Sequence, residues 1–322
     1  VREKVIRTVN PKRRVRTKSP AQSETPLIAV AGAGGFIGRR LVQRLAAEDV
    51  SVRALMRQPA TPIANEVVVQ FDLADPAVID GAALQGSQVV YYLVHAMAEG
   101  PDFAALDRQY ARRFAAAAQR AHVGKVIYLG GLYPRGAAHL SPHLQSRREV
   151  GEILMGECGA MVVRAGIIIG RGSAAFDIMR SLVMHLPIMI TPRWVSSRCQ
   201  PIDAGDAIEA LTRARMLPAG REVDLAGPDV VSYSAMMQAA ADELGLRRLI
   251  IPVPIFSPSL SSHWLRFITD VPLPVARALV ESLHQDAIAD GPDLCAEAGI
   301  KPIGFPTALK RALTARGPDG GN

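Results

Sequence analysis

The sequence predicts an α/β chain of Rossmann type: a doubly wound parallel sheet with a smaller C-terminal substrate lobe. Three observations carry that reading. Apolar runs rich in Val, Ile and Leu alternate with helical stretches through residues 27–170, the first run ends in a cluster of glycines, and the alternation loosens after Gly170. Unbroken apolar runs suit strands covered by helices on both faces. Regular strand–helix alternation means a parallel sheet. The 322 residues, 49% of them hydrophobic, suffice for one large domain or two small ones.

The elements follow in order. PLIAVAGAGGFIGRRLVQRLAAED, starting at Pro26, reads as a buried strand, a glycine turn and an amphipathic helix. VSVRALMR (50–57) and EVVVQFDL (66–73) are the second and third strands, with a short helical stretch around AVIDGAAL. QVVYYLVHA (88–96) is the fourth, DFAALDRQYARRFAAAAQRAH (102–122) a long helix and KVIYLGGL (125–132) the fifth strand. A helix carrying His143 follows, then MVVRAGIIIG (161–170) as the sixth strand. Beyond it, FDIMRSLVMHL, DAIEALTRARM, SAMMQAAADELG, SHWLRFI, VARALVESLHQD and a short TALKRAL read as helices, with VPIFSP as a loop-like break and GPDGGN as a frayed end. The expected division is a basic tail (1–26), a nucleotide-binding domain (27–170) and a mainly helical lobe (171–322). No internal repeat is present.

Composition narrows the function classes. Residues 1–26 hold eight Lys and Arg against two Glu, so the formal charge of +7 is almost all in this tail. The tail is polar and without helical period, which predicts disorder. It reads as a solvated extension, with an arm for nucleic acid or an anionic membrane surface as the functional alternative. No apolar run reaches the ~18 residues of a membrane-spanning helix, and no secretory signal pattern opens the chain. Cys158, Cys199 and Cys295 are too few and too scattered for a disulfide framework or a zinc site, so no metal is expected and a cytoplasmic setting fits.

The first strand ends Gly32-Ala33-Gly34-Gly35-Phe36-Ile37-Gly38. Glycines let the backbone turn sharply and approach a pyrophosphate, and the following helix points its free N–H groups at the phosphates. Lying between a strand and a helix at the head of an alternating chain, this cluster predicts dinucleotide binding. The second strand ends in Arg57 with no acid beside it, and Arg39 and Arg40 follow the last glycine. An acid there would hold the ribose hydroxyls of NAD, whereas a guanidinium pairs with the 2′-phosphate of NADP. NADP is therefore the preferred cofactor and NAD the alternative, with Arg57 as an ordinary surface residue in the latter case. Asp72 either accepts from the adenine amino group or serves as a cap or turn residue.

Gly32-x-x-Gly35-x-x-Gly38, FDLAD after the third strand, YYLVHAM, VVRAGIIIG and QPIDAGDAIEAL together resemble the extended and atypical short-chain dehydrogenases/reductases over residues 27–310. The pattern YLVH…YLGGL…HLxSRxEVG…MITPRW is similar to bacterial NAD(P)H-binding proteins grouped with NmrA-like regulators and the accessory subunit of respiratory complex I. The resemblance implies cofactor contacts at Asp72, Leu73, Leu93, Val94 and His95. It puts Gly130 and Gly131 near the nicotinamide, with Ala165, Gly166 and Ile167 on its other side.

In active members of that family a Ser or Thr ends the fifth strand and the next helix carries Tyr-x-x-x-Lys. Here glycines stand in LGGLYP, His143 holds the Tyr position and Arg147 the Lys position. Residues four apart share a helix face, so His143 and Arg147 can reach one cleft. His143 titrates near neutrality and is the candidate acid or base; the nearby cation disfavours its imidazolium form. Arg147 is the candidate for ribose or phosphate contact, a guanidinium being unable to shuttle protons. Tyr133 is a substitute donor if it enters the cleft. Ser141 and Pro142 read as helix cap and first-turn proline. Arg193 and Trp194 either line the substrate pocket or pack the lobe, and Trp264 and Phe267 read as core. These residues lead to an NADPH-dependent oxidoreductase acting on a hydrophobic carbonyl or quinone. The alternatives are a non-catalytic redox sensor or assembly factor and, below both, a nucleotide-sugar epimerase or dehydratase. The oligomeric state is open.

Overall fold

The computed structural model describes residues 25–58, 60–62, 64–75, 81–253 and 271–315, with the side chains of all of these except 192–194 and 252–253. The basic tail up to residue 24, the first half of AVIDGAAL, most of VPIFSP, the stretch SHWLRFI with Trp264 and Phe267, and the terminal GPDGGN lie outside the described residues, as do the side chains of Arg193 and Trp194.

The apolar runs become β1 (Leu27–Ala31), β2 (Ser51–Met56), β3 (Val67–Gln70), β4 (Val89–Tyr92), β5 (Lys125–Gly131) and β6 (Met161–Ala165). They pair in parallel in the order β3-β2-β1-β4-β5-β6, which is the order of a doubly wound nucleotide-binding sheet. The strand order reverses between β1 and β4, so a crevice opens there at the strands' carboxyl ends.

Helices cover both faces. On one lies α1 (Phe36–Ala46), whose Leu41, Val42 and Leu45 are fully buried against β1 and β2. On the other lie α2 (Phe103–Arg120) and α3 (Pro142–Cys158), through Phe114, Ala115, Val150 and Leu154. Ser141 caps α3 by accepting from the Leu144 N–H at 3.3 Å, and Pro142 occupies its first turn. Gly159 ends it in the left-handed conformation at φ 63°.

The sixth apolar run, expected to continue to Gly170, breaks after Ala165. A Cβ on Gly166 would stand 2.3 Å from the Gln200 carbonyl oxygen, so the chain leaves the sheet where another backbone crosses it. It resumes as β7 (Ile168–Ile169), followed by α4 (Ala174–His185), β8 (Ile188–Pro192), β9 (Arg198–Cys199) and β10 (Ile202–Asp203). Then come α5 (Ala204–Ala214), β11 (Glu222–Leu225), β12 (Val231–Ser232), α6 (Tyr233–Glu243) and β13 (Leu249–Val253). The last helices are α7 (Leu273–Glu281), α8 (Leu294–Glu297) and α9 (Phe305–Thr314). The chain beyond residue 170 also serves the sheet: β11 pairs in parallel with β6 as a seventh strand, and α5 packs its buried Ala207, Ile208 and Leu211 on the α1 face. A separate apolar cluster joins α4, α6 and α9 through Phe176, Met179, Met236, Met237, Phe305 and Leu309.

One buried ion pair ties this second half to the sheet. Arg164 of β6 and Asp224 of β11 are each about 1% exposed and meet at 2.6 Å. Arg164 also donates to Asp290 at 2.8 Å and to the Tyr133 carbonyl at 3.1 Å. The other Asp224 oxygen accepts from the N–H groups of Asp290 and Gly291. Removing one partner of a buried pair leaves an uncompensated charge. Asp224→Ala is expected to lower unfolding stability by about 3 kcal/mol, the low end of the range because Asp290 remains. Urea denaturation measures this, and a change under about 0.5 kcal/mol, ordinary for a surface site, would refute the assignment.

Candidate cofactor and active site

The cleft lies at the crevice between β1 and β4, with a volume of about 470 Å³. Its floor is the glycine turn. Gly32 sits at φ 85°, and the N–H groups of Gly32 and Ala33 both donate to the Leu55 carbonyl, so the strand end is anchored before it turns. A Cβ on Gly38 would stand 2.2 Å from the Gly32 carbonyl oxygen. Only glycine lets α1 start this close to β1. Gly35 precedes α1, and no acid occupies its first turn, so the N–H groups of Phe36, Ile37 and Gly38 are left for an anion.

The walls come from three strand ends. Leu93 and His95 follow β4, Gly130 and Gly131 end β5, Ala165 ends β6, and Gly166 and Ile167 follow it; all line the cleft. Sequence analysis missed what holds the β4 loop. Asp107 of α2 is buried, and its carboxylate accepts from the Ala96 N–H at 2.7 Å and from the Ser146 hydroxyl at 2.8 Å. Burial raises its pKa and Arg147 opposes the rise. An acid on the otherwise apolar inner face of an amphipathic helix was the available signal.

Arg147 enters the cleft from α3. One guanidinium nitrogen, Nη2, donates to the Leu129 carbonyl at 2.7 Å, and the group lies 5.3 Å from the Tyr128 ring centre. The Tyr128 hydroxyl donates back to the Arg147 carbonyl at 3.1 Å. Nη1 is buried without a hydrogen-bond partner among the described residues. A buried N–H left unpaired is costly, and the guanidinium that carries it belongs to a residue lining the cleft. Among the described lining residues Arg147 is the one Lys or Arg, and no carboxylate appears.

His143 is half-buried beside it. Its Nδ1 lies 2.9 Å from the Ser282 hydroxyl oxygen, which also contacts the Ser141 hydroxyl at 3.0 Å and donates to the Ala278 carbonyl at 2.8 Å. Ser282 has one proton, and a carbonyl can only accept. All three contacts are satisfied when that proton goes to Ala278 and Ser282 accepts from Ser141 and from His143 Nδ1–H. The network thus assigns the Nδ1–H tautomer and leaves Nε2 as an acceptor. Ser282 sits in the helical stretch VARALVESLHQD, and nothing in its local sequence marked it; neither did anything mark Tyr233 and Leu279, which also line the cleft. Burial, then Arg147 and His95, push the His143 pKa down to about 3. His95 is solvent-accessible within the cleft, yet the surrounding protein and then Arg147 lower its pKa to about 4. Both imidazoles are neutral at physiological pH, so the expected acid at residue 143 is not poised to give up a proton.

The cleft thus gathers Gly32, Gly35, Phe36, Ile37, Gly38, Leu93, His95, Gly130, His143, Arg147, Ala165, Gly166 and Ile167. Gly34 is exposed on the turn's outer side. Val94 packs into the α2–α3 core, and Leu73 is buried with its carbonyl accepting from Arg113 at 2.7 Å. Asp72 closes its own turn by accepting from the Ala74 N–H at 2.9 Å. Arg57, 62% exposed, is ion-paired with Glu99. Arg40 stacks 4.1 Å over the Phe36 ring and donates to the Arg171 carbonyl, so it fastens a loop rather than facing the cleft. Tyr133 is no substitute donor: it is buried beside Arg164, 5.2 Å from ring centre to guanidinium, and does not line the cleft.

Residues 32–153 match the family model described as NAD(P)H-binding. Over those residues the chain is similar to NAD(P)H-binding proteins. A curated relative is the "Ceramide reductase" of Caulobacter vibrioides, 28% identical over 238 residues, covering 71% of this chain and 74% of the relative. Among solved structures, a nucleoside-diphosphate-sugar epimerase from Staphylococcus aureus aligns with TM-score 0.70 at 13% identity, over 89% of this chain and all of that one. The dTDP-glucose 4,6-dehydratase of Streptomyces venezuelae with NAD bound aligns with TM-score 0.67 at 13% identity, over 89% and 95%. At such identities these structures speak for the fold. The turn, the helix start, the unpaired Arg147 Nη1 and the acid-free lining all fit a dinucleotide.

A second cavity, about 120 Å³, adjoins the cleft and shares Ile167, Ala175, Tyr233, Leu279 and Leu283 with it. Apart from Tyr233 and Thr191 its lining is apolar, with methionines Met179, Met189, Met236 and Met237. No group of His, Cys, Asp and Glu suited to a metal occurs among the described residues, and no described helix is long and apolar enough to cross a membrane.

The two histidines also set a pH dependence. Their folded pKa values lie below the ~6.5 of an unfolded histidine, so the unfolded chain binds the extra protons. The stability they contribute is full above about pH 6.5 and is lost as pH falls towards their folded values of about 4 and about 3. Melting temperature is therefore expected to fall over that window, and less steeply in His143→Gln. An equally steep fall in the variant would contradict the depressed pKa of His143.

Proposed function

We propose that this chain is an NADPH-preferring reductase that acts on a ketone or aldehyde carried by a long-chain lipid. The observation that carries the reading is the apolar cavity next to the cleft, which shares Ile167, Tyr233 and Leu279 with it. A sugar would leave such walls dry and its hydroxyls unpaired, whereas an alkyl chain gains ~0.8 kcal/mol per buried methylene. The name of the Caulobacter relative points the same way.

Bound NADPH would supply a hydride to the carbonyl carbon. The chain's part is to receive the charge that develops on oxygen. The unpaired Arg147 Nη1 donates to that oxygen or to the nicotinamide ribose beside it, and a preorganised cation in a dry cleft is a strong stabiliser of an alkoxide. The proton that completes the alcohol comes from water. His143 Nε2 accepts from a substrate or ribose hydroxyl and so orients rather than protonates. For cofactor choice, Arg57 is the 2′-phosphate ligand: its exposed pair with Glu99 is worth only ~0–1 kcal/mol and yields to a phosphate. Arg39, exposed in the first turn of α1, is a second candidate cation for that phosphate.

A redox sensor is the second reading, favoured by one observation: positions 130 and 131 carry no hydroxyl and both cleft histidines are neutral. A sensor must bind NADPH and NADP⁺ with different affinity, since equal affinity shifts no population.

The test is NADPH oxidation with 3-keto lipids of graded chain length dispersed in detergent. A chain of about sixteen carbons is expected to exceed one of about six by tenfold or more in kcat/KM, because two buried methylenes already supply that factor. Arg147→Met should lower kcat by about 100-fold or more, while His143→Ala stays within about tenfold, the scale of an orienting contact. No turnover with any chain length, together with unequal affinities for the two redox forms, would favour the sensor. Turnover lost in His143→Ala but kept in Arg147→Met would overturn the assignment of roles.

A further inference from the structure

We infer that the paired strands β8 and β13 form a docking face for an anionic phospholipid bilayer, at the mouth of the apolar cavity. The two strands pair in parallel, with Leu249 opposite Ile188 and Ile251 opposite Ile190. Side chains alternate along a strand, so these four share one face. They are exposed, at 56% for Ile188, 53% for Ile190, 55% for Leu249 and 38% for Ile251, whereas Met189 between them is 3% exposed and belongs to the lobe's core. Met184, at the end of α4, is exposed as well. A strand with one core face ordinarily turns polar residues to water. Here both faces are aliphatic, and a contiguous exposed apolar patch marks an interaction surface.

Two observations choose the occupant. The first is continuity with the cavity: Met189, Ile190 and Thr191 of β8 line it, so the face lies where the cavity's wall meets solvent. A lipid leaving a bilayer there would pass from one apolar medium to another. The second is charge. Arg247 and Arg248 lead directly into β13. Arg248 is held by the carbonyls of Val183 at 2.5 Å and Met184 at 3.0 Å, which fixes a guanidinium beside the patch, and Arg247 is exposed. The +6 tail of residues 1–26 adds to the same sign. Aliphatic residues flanked by two arginines suit the interface of an anionic membrane, where apolar burial and attraction to headgroups act together. The inference rests on the lipid-reductase reading for its purpose, but its readout is binding and needs no turnover.

The experiment is co-sedimentation of the full chain with vesicles of phosphatidylcholine alone or with about a third phosphatidylglycerol. Wild type is expected to associate with the anionic vesicles and to be released by salt. Ile188→Ser with Leu249→Ser should weaken association about tenfold or more, the size expected for losing two buried aliphatic side chains, while leaving NADPH affinity unchanged. Hydrogen exchange on the wild-type protein, which needs no variant, should show vesicle-dependent protection at 188–192 and 249–253. No association of wild type, or association equal in the double variant and without protection there, would overturn the inference. So would a double variant that turns a dimer into a monomer with vesicle binding unaltered, since the face would then join two copies of the chain. Vesicle binding without NADPH oxidation would overturn the proposed function and leave the docking face standing.

Discussion

Everything in the cleft is referenced to one contact between backbones. The start of α1 lies against the end of β1 so closely that a single added carbon at Gly38 would reach 2.2 Å from the Gly32 carbonyl. That approach fixes where the helix's unpaired N–H groups point. It also sets the level of the floor against which the ends of β4, β5 and β6 form walls. The buried α1 side chains Leu41, Val42 and Leu45 hold the helix in place from the other side. A turn without a ligand would gain nothing from such crowding, whereas a pyrophosphate needs it.

Above that floor the chemistry is organised by Arg147. Burial, and after it the Arg147 charge, lowers the pKa of both His95 and His143, and the same charge opposes the rise that burial causes at Asp107. A cation that cannot shuttle protons, beside imidazoles held neutral, makes a site suited to stabilising negative charge. Such a site suits a reaction whose difficult moment is charge on oxygen and whose proton can come from water. The same proposal makes this cation an anchor for an anionic cofactor, so the sensor reading shares every contact up to the last step.

Much of this was legible in the sequence, and the parts that were not share a physical reason. β1, the turn and α1 were readable because strand, glycines and helix are adjacent in the chain and each imposes a local pattern. The cap at Ser141 and Pro142 was readable for the same reason. The sixth strand was read too long because what stops it is the Gln200 carbonyl, 34 positions away, crossing at Gly166. Strand β11 was hidden because EVDL is short and Asp224 breaks its apolar run; that aspartate is explained only by Arg164 of the neighbouring strand. The i, i+4 spacing placed His143 correctly in the cleft. Its partner Ser282 comes from 139 residues further on, and with it the tautomer that turns a candidate acid into an acceptor. Arg57 and Asp72 stand at the expected strand ends, yet one already meets Glu99 and the other closes its own turn.

The most direct test of the central claim, that the β1–β4 cleft holds NADP, is calorimetric titration of the purified chain with NADPH, NADP⁺, NADH and NAD⁺. The account predicts a single site, with the two phosphorylated nucleotides bound at least about tenfold more tightly than the other two, as one charge-assisted phosphate contact allows. Binding of NADH and NAD⁺ in preference would remove Arg57 from the site, and no heat with any of the four would mean that the crowded glycine turn serves no dinucleotide.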